Sequence, residues 1–272
     1  MPELAEVHTL AAQLNDTLSG LTVSGVEIRN PKWLAAGDPE SLTGRTVLSV
    51  GRWGKRMIWR FDDGQILVAG LGMTGGFLIG DQPAGKHTGA IIRFAEGVPV
   101  RYQDPRKFGR AHLFTDEQRM HEALDARIGP DAAGPLTWRQ LKAAVGRGRT
   151  PVKAALLAQE RISGLGNYMG SEICHRARVH PQTPVSSLAR RDWIALNRAR
   201  MQMVTAALNA GGLSFSDYRH VDGSEGDMLS RLRAYGRESQ PCLTCATPIV
   251  ATTIAGRSTF HCPACQPDRQ AR

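Results

Sequence analysis

The chain has 272 residues, 42% of them hydrophobic, with five cysteines and a formal net charge of +9. Such a length suits two domains better than one core, and no apolar run approaches the ~18 residues of a membrane span. Residues 1–136 carry 15 basic and 16 acidic side chains, whereas residues 137–272 carry 19 and 9, and a basic half beside a neutral one suits a polyanion partner.

The chain opens Met1-Pro2-Glu3. Proline is small enough for removal of the initiator methionine, which would leave a secondary amine at the terminus. An α-amino group titrates at about 8, so a usable fraction is unprotonated and can form an iminium with an aldehyde-like carbon. Glu3 and Glu6 stand beside it, one able to protonate a leaving group or sugar oxygen and the other to orient groups. The plainer reading is helix-start chemistry, with Pro2 at the first helical position and acidic residues in the first turn. Val7, Leu10, Leu14 and Leu18 recur at helical spacing over residues 3–18, and Gly20 ends that helix. His8 reads as a helix-face histidine without a functional role.

Residues 21–114 carry strand patterns at 22–28, 46–53, 56–61, 65–73, 90–95 and 111–114, with Asp63-Gly64 as a hairpin turn. They predict a β-sandwich with one helix packed against it. Residues 129–136 read as a linker. From 137 to about 210 the period is helical, with Leu141, Val145, Leu156, Leu157, Ile173, Leu188, Ile194, Met201 and Leu208 among the apolar positions. Cys174 falls on one of these helices as a buried small apolar residue. Residues 211–227 form a polar, Gly-rich stretch with little core material, and so long a loop is usually functional or mobile.

The other four cysteines form CLTC and CPAC pairs, Cys242/Cys245 and Cys262/Cys265, sixteen residues apart. That spacing places four thiolates around one zinc ion, and four protein ligands leave no open position, so the zinc is structural. The polar, turn-rich segment between the pairs suits a hairpin whose folding energy comes mostly from the metal. Arg257 lies near its tip and is either solvated or functional. Metal-spaced cysteines and the absence of a legible leader point to a reducing cytoplasm.

MPELAEV, GRWGKR, GLGMTG, KHTG, YQDPRKFGR, IGPD, SGLGN, RVHP, YGRESQPC and the CLTC–GRSTFHCPACQ end follow in this order. Together they resemble the formamidopyrimidine-DNA glycosylases, bacterial base-excision repair enzymes, from Met1 to Gln266. Leu4 and the long 211–227 loop favour this branch over the related endonuclease VIII group. The resemblance implies an α+β, multidomain chain. Its parts would be an N-terminal catalytic β-sandwich domain with a flanking helix (1–128), a helix–two-turns–helix DNA-binding domain with its lesion-recognition loop at 211–227 (129–228), and a C-terminal zinc-finger β-hairpin (229–272), with DNA in the cleft between them.

Roles follow for the matching positions. Pro2 would be the Schiff-base nucleophile at C1′ of the damaged nucleotide, Glu3 the general acid, and Lys55 a helper in base release and β-elimination. Arg257 would grip the lesion phosphate and assist δ-elimination, and Asn167 would grip the same backbone. Met73, Arg106 and Phe108 would fill the gap left by the flipped base. His87 and Arg149 would be further DNA contacts, while Asp104 and Pro105 would set the turn that aims Arg106. The chain departs from the family pattern at Ala5, Gly89, Gly148 and Tyr168-Met169-Gly170, none of which removes a catalytic group.

The expected activity is a bifunctional glycosylase/AP lyase on oxidised purines, working as a monomer on damaged double-stranded DNA, with one structural zinc and no membrane partner. The rivals are an endonuclease VIII-like paralogue acting on oxidised pyrimidines or abasic sites, and a non-catalytic binder of damaged DNA.

Overall fold

Helix α1 (Leu4–Leu18) buries Leu4, Val7, Leu10, Leu14 and Leu18 along one face, as its apolar spacing requires. Glu3 is its N-cap, so Pro2 lies just outside the helix and not at its first position. The chain leaves it through Gly20, at φ 88. His8 is exposed on the helix surface.

The computed structural model describes residues 2–124, 128–214 and 218–268. The chain divides into two units, residues 1–125 with 208–229, and residues 126–207 with 230–272.

Among the described residues of the first unit nine strands follow: β1 (Val23–Ile28), β2 (Leu34–Ala36), β3 (Val47–Trp53), β4 (Arg56–Phe61), β5 (Ile66–Gly70), β6 (Gly76–Ile79), β7 (Thr88–Phe94), β8 (Val100–Gln103) and β9 (Arg110–Phe114). They form a four-stranded sheet, β1-β7-β8-β6, and a five-stranded sheet, β2-β9-β5-β4-β3. All pairs are antiparallel except β2–β9. Met57, Trp59 and Phe61 on β4 and Ala90, Ile92 and Phe94 on β7 enter one shared core at period two. Two sheets sharing a core make the expected sandwich, and α1 packs on β3 and β4. The Asp63-Gly64 turn joins β4 to β5, with Gly64 N–H donating to Phe61 O at 3.1 Å. Strands β2, β6 and β8 were not expected; at three to four residues each, they are too short to show an alternating pattern.

Helix α2 (Glu117–Leu124), also unexpected, buries only Met120 and Leu124. The described part of the 211–227 loop packs into the sandwich: Tyr218 and Val221 join its core, and Ile79 N–H donates to Val221 O at 3.0 Å. Phe215, Ser216 and Asp217 of this loop lie outside the described residues.

The second unit contains α3 (Trp138–Val145), α4 (Val152–Leu157), α5 (Asn167–Ala177) and α6 (Arg190–Asn209), then β10 (Val250–Ile254) and β11 (Arg257–His261). The boundary falls between residues 207 and 208, so the last two residues of α6, Leu208 and Asn209, belong to the first unit. The 129–136 stretch is held rather than free: the buried Arg200 guanidinium donates to the carbonyls of Ala132, Gly134 and Leu136. Leu188 precedes α6 instead of lying on it, and Ile194 and Met201 face solvent. Cys174 is fully buried, and burial pushes its thiol up to about 12. Among the described residues no helix is long and apolar enough to cross a membrane.

Candidate active site and DNA-contact residues

Four groups of side chains carry the expected chemistry. The first is the head of α1. Glu3 and Glu6 are 2% and 1% exposed and form a reciprocal capping box, with Glu3 N–H donating to Glu6 Oε2 at 2.7 Å. The other Glu6 oxygen accepts Leu213 N–H at 2.6 Å, and Tyr218 Oη donates to the Glu6 carbonyl at 3.4 Å. Glu6 thus ties the head of α1 to the 211–227 segment. A side chain at Gly212 would stand 2.8 Å from Glu6 Oε1, and the residue has φ 86, so only glycine lets the loop come this close. Burial, followed by the nearby Glu6 charge, raises the Tyr218 phenol above its ordinary range. Pro2 is buried.

The second group is the β3–β4 hairpin tip. Trp53 pairs with Arg56, leaving Gly54 and Lys55 as a two-residue turn. Gly54 has φ 60, the conformation that matches strand twist at the first turn position. Lys55 is half-buried there.

The third group is organised by Asp104, itself 2% exposed. One carboxylate oxygen accepts Thr74 Oγ1–H and Arg106 N–H; the other accepts Tyr102 Oη–H at 3.1 Å and Gly109 N–H at 2.8 Å. Four donors on one buried carboxylate hold the turn carrying Met73 against the turn carrying Arg106 and Phe108. Phe108 is 53% exposed, with the Arg106 guanidinium 4.8 Å above its ring. At that exposure Phe108 is not a core residue. Met73 is half-buried. Lys107, between Arg106 and Phe108, takes φ 56, a costly conformation for a non-glycine residue. Asp104 N–H also donates to His87 O at 2.9 Å, placing His87 beside the same turn. Arg29, Lys86, His87, Lys107 and Asp104 border an open recess of about 120 Å³. Gly89 lines it too, and a Cβ there would meet the Tyr102 ring at 3.0 Å, which accounts for a residue without a side chain.

The fourth group lies in the second unit. The four cysteine Sγ atoms lie within 4.8 Å of one another, with Cys245–Cys262 and Cys245–Cys265 at 3.4 Å and Cys242–Cys265 at 4.0 Å. Tetrahedral zinc with Zn–S near ~2.3 Å needs sulfur pairs about 3.8 Å apart, so the donor set fits one zinc. Thr244 N–H and Cys265 N–H each donate at 3.4 Å, to Cys242 and Cys262 Sγ, as suits anionic thiolates. The apolar support is small: Ala234, Cys242, Ile249 and Cys262, with Phe260 and Cys265 at its edge. Ala255 and Gly256 at φ 48 and 71 make the tight β10–β11 turn, and Arg257 stands exposed beside it.

This hairpin and the segments flanking it are fastened to α4, α5 and the turn after α5. Lys153 on α4 is 1% exposed and spends its three donors on Asn167 Oδ1 (2.6 Å), Ser258 O (2.7 Å) and Thr259 Oγ1 (2.8 Å). It therefore joins Asn167 to the residues following Arg257. Glu172, fully buried, accepts the N–H groups of Arg233, Ala234 and Tyr235 on one oxygen, at 2.9, 2.7 and 3.0 Å. Gln266 Nε2 donates to Val179 O at 2.8 Å. Tyr168 packs edge-on against Tyr235, and Tyr235 against Phe260. Burial first, then the charges of Arg233, Arg176, Arg237 and Arg178, pushes His175 down to about 4.

Lys153 and Glu172 were missed from sequence. The available signal was a charged residue inside an otherwise apolar helical run, VKAALL and NYMGSEIC. Arg149 is exposed in the loop after α3, where Arg161 donates to Val145 O and Arg147 O. Gly148 has φ 79, which disfavours a side chain at that place.

Three family models match in succession: the formamidopyrimidine-DNA glycosylase N-terminal domain at residues 1–111, the H2TH domain of the same enzymes at 128–218, and the zinc finger found in FPG and IleRS at 239–267. Formamidopyrimidine-DNA glycosylase of Bacillus licheniformis is 34% identical, over 98% of this chain and 99% of its own length. The enzyme of an Enterobacter species is 34% identical over 98% and 100%. Among solved structures, Lactococcus lactis Fpg in complex with DNA containing an abasic site superposes with a TM-score of 0.91 at 28% identity, over 98% of this chain and 100% of that one. With relatives matched along their whole length and three family models in the expected order, this chain belongs to the formamidopyrimidine-DNA glycosylase family.

Proposed function

We propose that the chain is a base-excision repair enzyme that removes 8-oxoguanine and formamidopyrimidines from duplex DNA and then cleaves the strand. Glycosylase and AP lyase activities are those of its family; the residue roles are assigned as follows. After loss of Met1, the unprotonated nitrogen of Pro2 attacks C1′, and the glycosidic electron pair departs with the base, which takes up the proton that the Pro2 nitrogen gives up. Glu3 gives a proton to the sugar oxygen as the C1′–O4′ bond opens, leaving an iminium. Loss of a C2′ proton then expels the 3′ phosphate, a second elimination expels the 5′ phosphate, and hydrolysis frees Pro2. Lys55 serves base release and the first elimination. Glu6 acts by position, holding the terminus and the loop segment together.

Met73, Arg106 and Phe108 take the space of the extruded nucleotide, with Arg106 facing the opposing cytosine. His87, Arg149, Asn167 and Arg257 hold phosphates. Residues 1–128 then serve chemistry, 129–228 DNA binding and lesion recognition, and 229–272 the metal-dependent placement of Arg257. One structural zinc is held by Cys242, Cys245, Cys262 and Cys265. All the roles are filled from one chain, which supports a monomer, and thiols at metal spacing support a cytoplasmic setting.

The observation that carries this reading is the pair of buried carboxylates, Glu3 and Glu6, that follow the N-terminal proline directly. Both also cap α1, a role that a DNA binder without chemistry could share; what such a binder has no use for is a proline amine beside them. Oxidised pyrimidines are a second reading, favoured by one finding: a Lactococcus lactis Fpg, 28% identical, was solved with oxidised-pyrimidine DNA. Single-turnover excision on duplexes carrying 8-oxoguanine, Fapy-dG or an oxidised pyrimidine opposite the natural partner tests the choice. The purine lesions should be released fastest. Faster release of the pyrimidine overturns the preference, and binding without release of any lesion overturns the enzyme.

A further inference from the structure

We propose that His175 is an outer partner of the zinc site, donating its Nε2–H to the Cys242 thiolate and so coupling metal retention to helix α5. His175 lies on the C-terminal half of α5, is 4% exposed, and has Nε2 at 3.5 Å from Cys242 Sγ. A zinc-bound thiolate carries lone pairs and no proton, so it can only accept. The ring nitrogen facing that sulfur must then carry a proton, so Nε2 is the donor. The other nitrogen, Nδ1, is buried with no hydrogen-bond partner among the described residues, so no competing acceptor draws the proton to that side.

Cys242 Sγ already accepts Thr244 N–H at 3.4 Å. A second donor from another element withdraws charge from the sulfur, lowers its tendency to leave the metal with a proton, and fixes its direction. The donor comes from the helix that starts at Asn167 and that holds residues 233–235 through Glu172. The zinc is thus anchored to α5 as well as to its own hairpin. His175 is outside the ligand set, because the four cysteines complete a tetrahedral site.

The test uses the full chain loaded with zinc and a chromophoric chelator as competitor. His175→Phe keeps a ring of similar volume and removes the donor; zinc affinity should fall about 10- to 100-fold. His175→Gln places an amide N–H at similar reach and should recover most of that loss. Unchanged affinity in His175→Phe overturns the proposal. Equal losses in the Phe and Gln variants also overturn it, by assigning the effect to packing. A measurement on the parent protein needs no variant. With NMR-active cadmium in place of zinc, the Hε2 proton of His175 should show scalar coupling to the metal across the N–H···S bond. A ring protonated only at Nδ1, or an Hε2 with no coupling, contradicts the assignment.

Discussion

The turn carrying Arg106 and Phe108 and the hairpin carrying Arg257 both present an exposed arginine, but they are held in unlike ways. The first sits on a sandwich whose core contains Trp33, Trp59, Phe61, Phe77 and Tyr102, and one carboxylate, Asp104, sets its shape. The second has an apolar cluster of only a few side chains; its shape depends on a metal and on polar anchors from α4 and α5. Hydrophobic burial scales with area, so the sandwich tolerates loss of one polar bond, whereas a hairpin without a core must lose its form when the metal goes.

The largest expected effect follows from that contrast. Cys262→Ser should lose the zinc and, with it, the placement of Arg257. A bidentate phosphate grip is worth about 3–6 kcal/mol as two charge-assisted hydrogen bonds, so strand incision should fall on the order of 10²- to 10⁴-fold. Metal analysis, incision rate and sandwich tryptophan emission, read together, check it. A zinc-free variant that incises normally would show that the hairpin does not need its metal.

A smaller effect is expected at the buried lysine. Lys153→Met leaves Asn167 Oδ1, Ser258 O and Thr259 Oγ1 without their donor. Unsatisfied buried acceptors cost about 1–3 kcal/mol each, and partial relaxation should leave a net loss of about 2–4 kcal/mol in stability. Zinc content should stay at one per chain while DNA affinity drops. Unchanged DNA affinity would mean that Lys153 does not position Asn167 and Arg257.

The smallest effects belong to the Asp104 turn. Arg106 has only donors, and cytosine left without its partner offers O2 and N3 as acceptors. Excision of 8-oxoguanine opposite cytosine should exceed that opposite adenine by about 5- to 150-fold, the equivalent of ~1–3 kcal/mol. Arg106→Ala should shrink that ratio. Phe108→Ala, which removes the aromatic ring and leaves Arg106 in place, should lower both rates together. Single-turnover excision on two duplexes differing only in the opposing base separates the two outcomes, and an unchanged ratio in Arg106→Ala would place the discrimination elsewhere.

The same contrast explains what could be read from the sequence. Long amphipathic elements such as α1 and β4 announce themselves by period, and the CxxC pairs by spacing. Strands β2, β6 and β8 do not, because three or four residues hold no period. The 211–227 stretch is polar and Gly-rich, so nothing in it signals that Tyr218 and Val221 enter the sandwich core. Lys153 and Glu172 could be suspected as buried from the apolar runs around them, but their roles as anchors, like that of His175, were not legible because partners such as Thr259, Ala234 and Cys242 lie far off in the chain. Asp104 was legible only because the turn it sets is local.

The central claim is that Pro2 is the nucleophile, and the direct measurement is borohydride trapping on lesion-containing duplex followed by peptide mapping of the adduct. The processed chain should give a reduced covalent complex whose attachment maps to the Pro2 nitrogen, and an N-terminal extension that blocks methionine removal should abolish it. Trapping of equal yield in the extended protein, or an attachment mapped to Lys55, would contradict the assignment.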